Sequence, residues 1–377
     1  MVYADNAATT KMSRTAIDAM LPYMETHSGN PSSLYRLGQE AAEALQSARE
    51  TVAECLGCTP REITFTSGGS EADNQALISA AALGKKQGKC HIVSTAMEHH
   101  AILHTLEALE AQGFTVTLLR PQADGIVTAT QVAEAITDTT CLISVMYANN
   151  ETGAIQPIRE IGALCRKRGV LFHTDAVQAA GHLTINVQRD NIDMLSLSAH
   201  KFHGPKGIGL LFAKSNIQLT SLIRGGGQER GKRAGTENLP SIIGLATALK
   251  DAQEHMQQNT AYITGLRDAL RNGLDKIDGA GFNGSREHCL PGTVNYSFQG
   301  VNGETLLSLL SNEGICCSSG SACSAGSLEP SHVLLALGLS HETAKSALRF
   351  SLCEYNTMDE VQTIITKVTE AVNRLRR

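Results

Sequence analysis

A chain of 377 residues exceeds what one hydrophobic core usually supports, so two lobes are expected, the larger one holding a ligand. Hydrophobic residues make up 42% and charged residues 18%, and a net charge of −5 gives no general attraction for nucleic acid, which leaves a small-molecule substrate. No stretch is apolar for long enough to cross a bilayer and residues 1–10 lack the basic-then-apolar order of a secretion signal, so a cytoplasmic protein without a membrane partner is expected, its ten cysteines reduced.

Over the first two thirds, short β-rich runs alternate with amphipathic stretches. Strands are predicted over 62–66, 91–95, 115–119, 141–147, 170–174 and 194–198. Helices are predicted over 71–83, 101–112 and 158–168, where apolar residues recur three and four apart. This rhythm predicts βαβ units wound into one open sheet, an α/β architecture. From about Ser241 the pattern turns to a long helix and then a less regular α+β region, which places a domain boundary near 257.

Ligands of an open parallel sheet gather at the carboxyl ends of its strands, and three segments there carry chemistry. Phe65-Thr-Ser-Gly-Gly-Ser70 joins a strand to a helix through Gly68 and Gly69, leaving backbone N–H groups to hold a phosphate; Ser70 as a plain helix cap is the alternative. The segment has no Gly-Lys-Ser/Thr ending and is not a nucleotide P-loop. Asp175 follows the run 170–174, where an acid can pair with a pyridinium nitrogen or cap a helix. Lys201 ends the run Leu195-Ser-Leu-Ser-Ala-His-Lys201 beside a glycine-rich turn, a setting in which an amine loses its proton more easily and forms a Schiff base with an aldehyde cofactor. The order of the three is that expected of a pyridoxal-phosphate enzyme.

Other features point elsewhere or nowhere. Cys55-Leu-Gly-Cys58 has half of a zinc-knuckle spacing and no second pair, and His100 and His104 lie one helical turn apart with Ala101 where a metalloprotease has Glu. No metal site is therefore expected. Cys323 lies in the small-residue run 318–327, which cannot build a core, and reads either as a mobile nucleophile or as a free cysteine in a linker. Cys316 and Cys317 have no assigned role. The glycine-rich segment 225–236 carries basic residues without interleaved aromatics, which argues against RNA.

Taken end to end, the chain resembles cysteine desulfurases of the NifS/IscS type, class V members of the fold-type I pyridoxal-phosphate enzymes. The resemblance rests on Tyr3-Ala-Asp-Asn-Ala-Ala-Thr-Thr10, Gly29-Asn-Pro-Ser-Ser33, Phe65-Thr-Ser-Gly68, Met97-Glu-His99, Ala148-Asn-Asn-Glu-Thr-Gly153, His173-Thr-Asp-Ala-Val-Gln178, Ser198-Ala-His-Lys201, residues 230–238, Ser318-Ser-Gly-Ser-Ala-Cys323 and Arg349-Phe-Ser-Leu352.

It implies a large domain over 12–257 with a mostly parallel sheet sandwiched by helices, and a smaller α+β domain from 1–11 and 258–377 carrying the cysteine loop. It implies pyridoxal 5'-phosphate joined to Lys201, Asp175 on the ring nitrogen, His99 over the ring with a part in proton transfer, and Asn150 and Gln178 at the ring hydroxyl. Gly69, Ser70, Ser198 and His200 would surround the phosphate, with Thr236 supplied by a second subunit of a homodimer. Arg349, with Asn150 beside it, would grip the carboxylate of L-cysteine. Cys323 would take the sulfur as a persulfide and pass it to an acceptor protein, an iron–sulfur scaffold or a thiolation enzyme. A selenocysteine lyase or another β-eliminating enzyme of the same fold is the alternative.

Overall fold

The computed structural model describes residues 1–319 and 329–377 of the chain. Its largest sheet has seven strands, in the order Ile63–Thr66, Gly209–Ala213, Met194–Ser198, Leu171–Asp175, Thr140–Ser144, His91–Thr95 and Thr115–Leu119. Neighbours pair in parallel except at Gly209–Ala213, which is antiparallel to both strands beside it.

Successive side chains of these strands feed two separate cores. Ile92, Leu142, Met194 and Leu211 pack on one face against Ala72, Ala76, Leu77 and Ala80 of the helix Gly69–Lys86. Val93, Ile143, Leu195 and Leu210 pack on the other against Val52 and Leu56 of the helix Arg36–Leu56 and Ile242 and Leu245 of the helix Leu239–Leu274. A sheet covered on both faces requires apolar residues at consecutive positions, which is why its strands read as runs without alternation. The α/β sandwich expected from the sequence is the fold observed.

Several boundaries shift. The strand expected over 141–147 spans Thr140–Ser144, although the Val145 and Tyr147 N–H groups still bond to His173 O and Asp175 O of the neighbouring strand. The strand expected over 170–174 is Leu171–Asp175, so the acid is the strand's last residue and does not follow it. The helix expected over 71–83 begins at Gly69 with Gly68 as its cap, so Ser70 lies inside the first turn and is not the capping residue. The helix expected over 101–112 is His100–Glu110, and that over 158–168 is Ile158–Arg168. Gly209–Ala213 was not anticipated, because five uniformly apolar residues after a glycine-rich turn carry no period.

The 36-residue helix Leu239–Leu274 leads from this sheet to a second core. Ile263, Leu266 and Leu270 on its later turns pack with Tyr296, Phe298 and Phe350 of an antiparallel sheet and with Val361 and Val368 of the helix Met358–Leu375. That sheet has the order Ser318–Ser319, Ala347–Ser351, Thr293–Phe298, Ala280–Phe282. The chain's beginning packs beside it: Val2–Tyr3 pairs in parallel with Ile315–Cys316 as a separate two-stranded sheet, and Val2 and Ala4 lie in the same core.

Candidate active site

A cavity of about 580 Å³ opens at the carboxyl ends of the large sheet's strands. Lys201 enters it from the single 3-10 turn Ala199–Lys201 that follows the strand Met194–Ser198. Its Nζ donates to the carbonyls of Ala7 at 2.6 Å and Ala8 at 2.7 Å. The N-terminal segment is tied over the lysine: the Thr10 N–H and hydroxyl each reach the His200 carbonyl at 2.9 Å, and Gln178 Nε2 donates to Ala7 O at 3.0 Å. Glycine is required at 209, where a Cβ would stand 2.4 Å from Leu197 O and 2.7 Å from Gly68 Cα.

Behind the lysine lie three buried carboxyl groups. Asp175 Oδ1 accepts the Val177 N–H at 2.9 Å; burial pushes its pKa up to about 6, while that N–H and Lys201 hold it from rising further. Burial, and then the Asp175 charge, holds Asp73 well above the usual carboxylate range. Glu98 accepts from Thr95 Oγ1 at 2.8 Å and from the Met146 N–H at 2.9 Å, and burial lifts it to about 8. At neutral pH the negative charge therefore resides on Asp175, which lines the cavity beside Lys201 together with Asp73. His173 sits under the group, its nitrogens bonded to Ser144 Oγ at 2.9 Å and Ser196 Oγ at 3.0 Å, uncharged because burial pulls it to about 3.

His99 caps the helix His100–Glu110: its Nδ1 accepts the Ala101 N–H at 3.1 Å. The ring proton of the neutral form is thereby fixed on Nε2. Burial and then the Lys201 charge lower its pKa to about 4, so a neutral imidazole lines the cavity. Opposite stands Arg349, 3% exposed, on the strand Ala347–Ser351. Nη2 donates to Asp5 Oδ1 at 2.7 Å, Nη1 to Asn150 O at 3.0 Å, and Nε is buried without a hydrogen-bond partner. An always-charged fork with an unmet donor is suited to a carboxylate ligand.

The remaining end is suited to an oxyanion. The first-turn N–H groups of the helix Gly69–Lys86 have no intrahelical partner and no side-chain cap. Ser70, Ser198, His200 and Lys206 line the same cavity. A Cβ at Gly69 would meet Val177 Cγ2 at 2.7 Å, so the backbone there is held against its neighbour by the lack of a side chain.

Of the residues singled out in the sequence, Gly69, Ser70, His99, Asn150, Asp175, Gln178, Ser198, His200, Lys201 and Arg349 all line this cavity. Thr236 is exposed and does not line the cavity of its own chain. Cys323 lies outside the described residues. Sequence reading missed Asp5, Asp73, Glu98 and the carbonyls of Ala7 and Ala8. Asp73 did leave a signal, as one acid on a helix face otherwise made of Ala72, Ala76 and Ala80. His104 is exposed as expected, whereas His100 packs between it and His332, with ring centres 5.0 and 4.7 Å away. Burial pushes Cys55 up to about 11 and Cys58 and Cys317 up to about 12.

Known proteins are similar to this chain along its whole length. Proteins named cysteine desulfurase IscS are 48% identical over 378 residues in Clostridium botulinum (100% of this chain, 95% of the relative) and 47% identical over 375 residues in Methanosarcina thermophila (100% and 93%). A solved NifS-like protein superposes with a TM-score of 0.93 at 37% identity, covering 99% of both chains. A structure of SspA in complex with cysteine superposes with a TM-score of 0.82 at 39% identity, covering 95% of this chain and all of that one. Since the sequence model of the aminotransferase class-V family matches residues 2–364, the chain belongs to that family.

Proposed function

We propose that this protein is a cysteine desulfurase that works with pyridoxal phosphate, taking the sulfur of L-cysteine and leaving L-alanine. The convergence of Lys201, Asp175, His99 and Arg349 on one cavity with a helix N-terminus at its end carries the reading. The names of the relatives, and the cysteine in the SspA complex, support the same substrate.

The residues present fit the cofactor. Lys201 would hold its aldehyde carbon and Asp175 its ring nitrogen, with Asn150 and Gln178 at the ring hydroxyl. Gly69, Ser70, Ser198, His200 and the free N–H groups of the helix Gly69–Lys86 would hold its phosphate. Pyridoxal phosphate supplies an electron sink for charge developing on the substrate's carbons.

The chain's own groups do the rest. Arg349 binds the substrate carboxylate, exchanging its contact with Asp5 for a bidentate one. Lys201 Nζ takes and returns the Cα proton, and His99 serves as a second proton carrier through Nε2. The role of Cys323 rests on its sequence setting. Its thiolate attacks the substrate sulfur, so that an S–S bond forms, the Cβ–S bond breaks with its electron pair left on carbon, and that carbon takes a proton to become the methyl group of alanine. The persulfide on Cys323 then passes to an acceptor protein.

A homodimer completes the phosphate site in this reading, through Thr236 of the partner subunit. Residues 12–257 form the cofactor-binding domain, and 1–11 with 258–377 the smaller one, a division supported by the apolar core that joins Val2 and Ala4 to residues 263–372. The test is product analysis of protein reconstituted with pyridoxal phosphate and given L-cysteine and a thiol reductant. Equal yields of alanine and sulfide are expected; pyruvate and ammonia would replace the assignment with β-elimination.

A further inference from the structure

Two residues beyond Lys201 the chain makes an unusual turn. His203 adopts φ +63°, a left-handed conformation rarely taken by a residue with a side chain. The turn brings its ring, 7% exposed, against residues 353–355, which follow the strand carrying Arg349. Nδ1 donates to the Lys11 carbonyl at 2.8 Å. Nε2 is left buried, 3.3 Å from Glu354 Oε1 but without the alignment of a hydrogen bond, and has no hydrogen-bond partner. An imidazole with one nitrogen tied to a carbonyl and the other turned toward a carboxylate oxygen presents that second nitrogen as metal-bound histidines do.

What Nε2 faces is a ligand set. Cys353 Sγ and a Glu354 carboxylate oxygen lie with it in a group whose ligand atoms are all within 4.8 Å of one another. Cys353 is 4% exposed and its own N–H is held by Asn356 Oδ1 at 2.9 Å, which fixes the backbone from which the thiol projects. Glu354 is the partly exposed member, so the group can be reached from solvent. One imidazole nitrogen, one sulfur and one carboxylate oxygen are the donors that zinc takes in tetrahedral sites, three from protein with the fourth position left open.

We propose that His203 Nε2, Cys353 Sγ and a Glu354 carboxylate oxygen bind a zinc ion, with water in the fourth position. Binding displaces the Cys353 thiol proton to solvent. The ion would join the turn that follows Lys201 to the segment that follows Arg349, and so brace the two walls of the cavity from behind. None of its ligands lines the cavity, so the ion would act by bracing the two segments and not by touching substrate. The proposal departs from the sequence expectation of no metal site, which weighed only neighbours along the chain; His203 and Cys353 are 150 positions apart.

The test uses the full chain with Cys316, Cys317 and Cys323 changed to Ser, so that these thiols cannot compete for the metal. Chelator-stripped protein is titrated with zinc and, separately, with Co2+ as a spectroscopic probe. One zinc per chain and a thiolate-to-cobalt charge-transfer band are expected, both lost on adding Cys353→Ser. His203→Gln and Glu354→Gln should each weaken zinc binding at least about tenfold. Chelator should lower the melting temperature of the parent and leave that of its Cys353→Ser derivative unmoved. The proposal is overturned if the parent binds no zinc, or binds it unchanged after Cys353→Ser, in which case His203 and Glu354 form an imidazolium–carboxylate pair only. Should Cys353→Ser fail to fold, the charge-transfer band in the parent and its weakening by Glu354→Gln decide the matter.

Discussion

Arg349 and Asp5, 344 positions apart, are joined by a 2.7 Å contact in which the guanidinium is almost wholly buried. In the function proposed above, a substrate carboxylate would take the aspartate's place. An arginine held ready by an exchangeable acid keeps its charge paired in the resting protein and offers a planar fork, with Nε unused, to the incoming ligand. Lysine cannot reproduce that fork. Arg349→Lys should therefore raise KM for L-cysteine about 10- to 100-fold, the loss of one charge-assisted hydrogen bond at roughly 1.5–3 kcal/mol. Steady-state kinetics check this, and an unchanged KM would remove Arg349 from substrate binding.

Lys201 Nζ is held by the carbonyls of Ala7 and Ala8, at 2.6 and 2.7 Å. Lys201→Ala should leave the fold intact, because neighbouring bonds such as that from Thr10 to the His200 carbonyl do not involve the amine. It should abolish the visible absorbance of covalently held pyridoxal phosphate and all turnover. An absorbance spectrum after dialysis separates covalent from merely adsorbed cofactor.

Much of this site was legible along the chain. Strand, turn and helix signals placed Lys201, Asp175 and the loop before Gly69 at strand ends, because each depends on residues within one turn of it. What joins them was not. Ala7 and Ala8 reach Lys201, and Asp5 reaches Arg349, because Val2–Tyr3 pairs with Ile315–Cys316 and the residues after it bond to Ser351, Gln178 and His200, and no local spacing encodes pairings so far apart in the sequence. The strand Gly209–Ala213 was hidden for a different reason: a strand buried on both sides has no polar face to show its period. The carboxyl group of Glu98 became visible only once the packing around it was known.

Buried His173 and Glu98 should tilt the pH dependence of stability in opposite directions. His173 has its pKa pulled to about 3 and is neutral in the fold, so the unfolded chain binds the extra proton between its ordinary value near 6.5 and 3, and the stability is lost as pH falls through that window. Glu98, lifted to about 8, keeps its proton in the fold, so stability is lost as pH rises from its ordinary value near 4.5 to 8. His173→Gln should flatten the acid side and Glu98→Gln the alkaline side of a plot of unfolding free energy against pH. Each removes a slope of at most about 1.4 kcal/mol per pH unit. Denaturant melts at pH 5, 6.5 and 8 are enough to see the signs, and equal slopes in the two variants would refute them.

One buried ion pair ties the segment 225–236 to the large domain's core. Arg49 and Glu229 meet through two contacts, Nη2 to Oε1 at 2.6 Å and Nη1 to Oε2 at 2.8 Å, with side chains 5% and 3% exposed. Glu229 also accepts the Phe65 N–H at 3.1 Å, and the guanidinium lies over the Phe65 ring at 4.7 Å, so the pair fixes the strand that leads into the loop before Gly69. Glu229 takes φ +47°, a cost accepted because the pair demands it. Glu229→Ala strands a cation in an apolar interior and should destabilise the protein by about 3–5 kcal/mol. Replacing both partners by apolar residues of similar size, Arg49→Met with Glu229→Leu, should cost less than the single change, because no charge is then left unpaired. Denaturant midpoints of the two variants decide it: if the double substitution is the more damaging, the pair contributes through its backbone bonds to Phe65 and Ile63 and not through its charges.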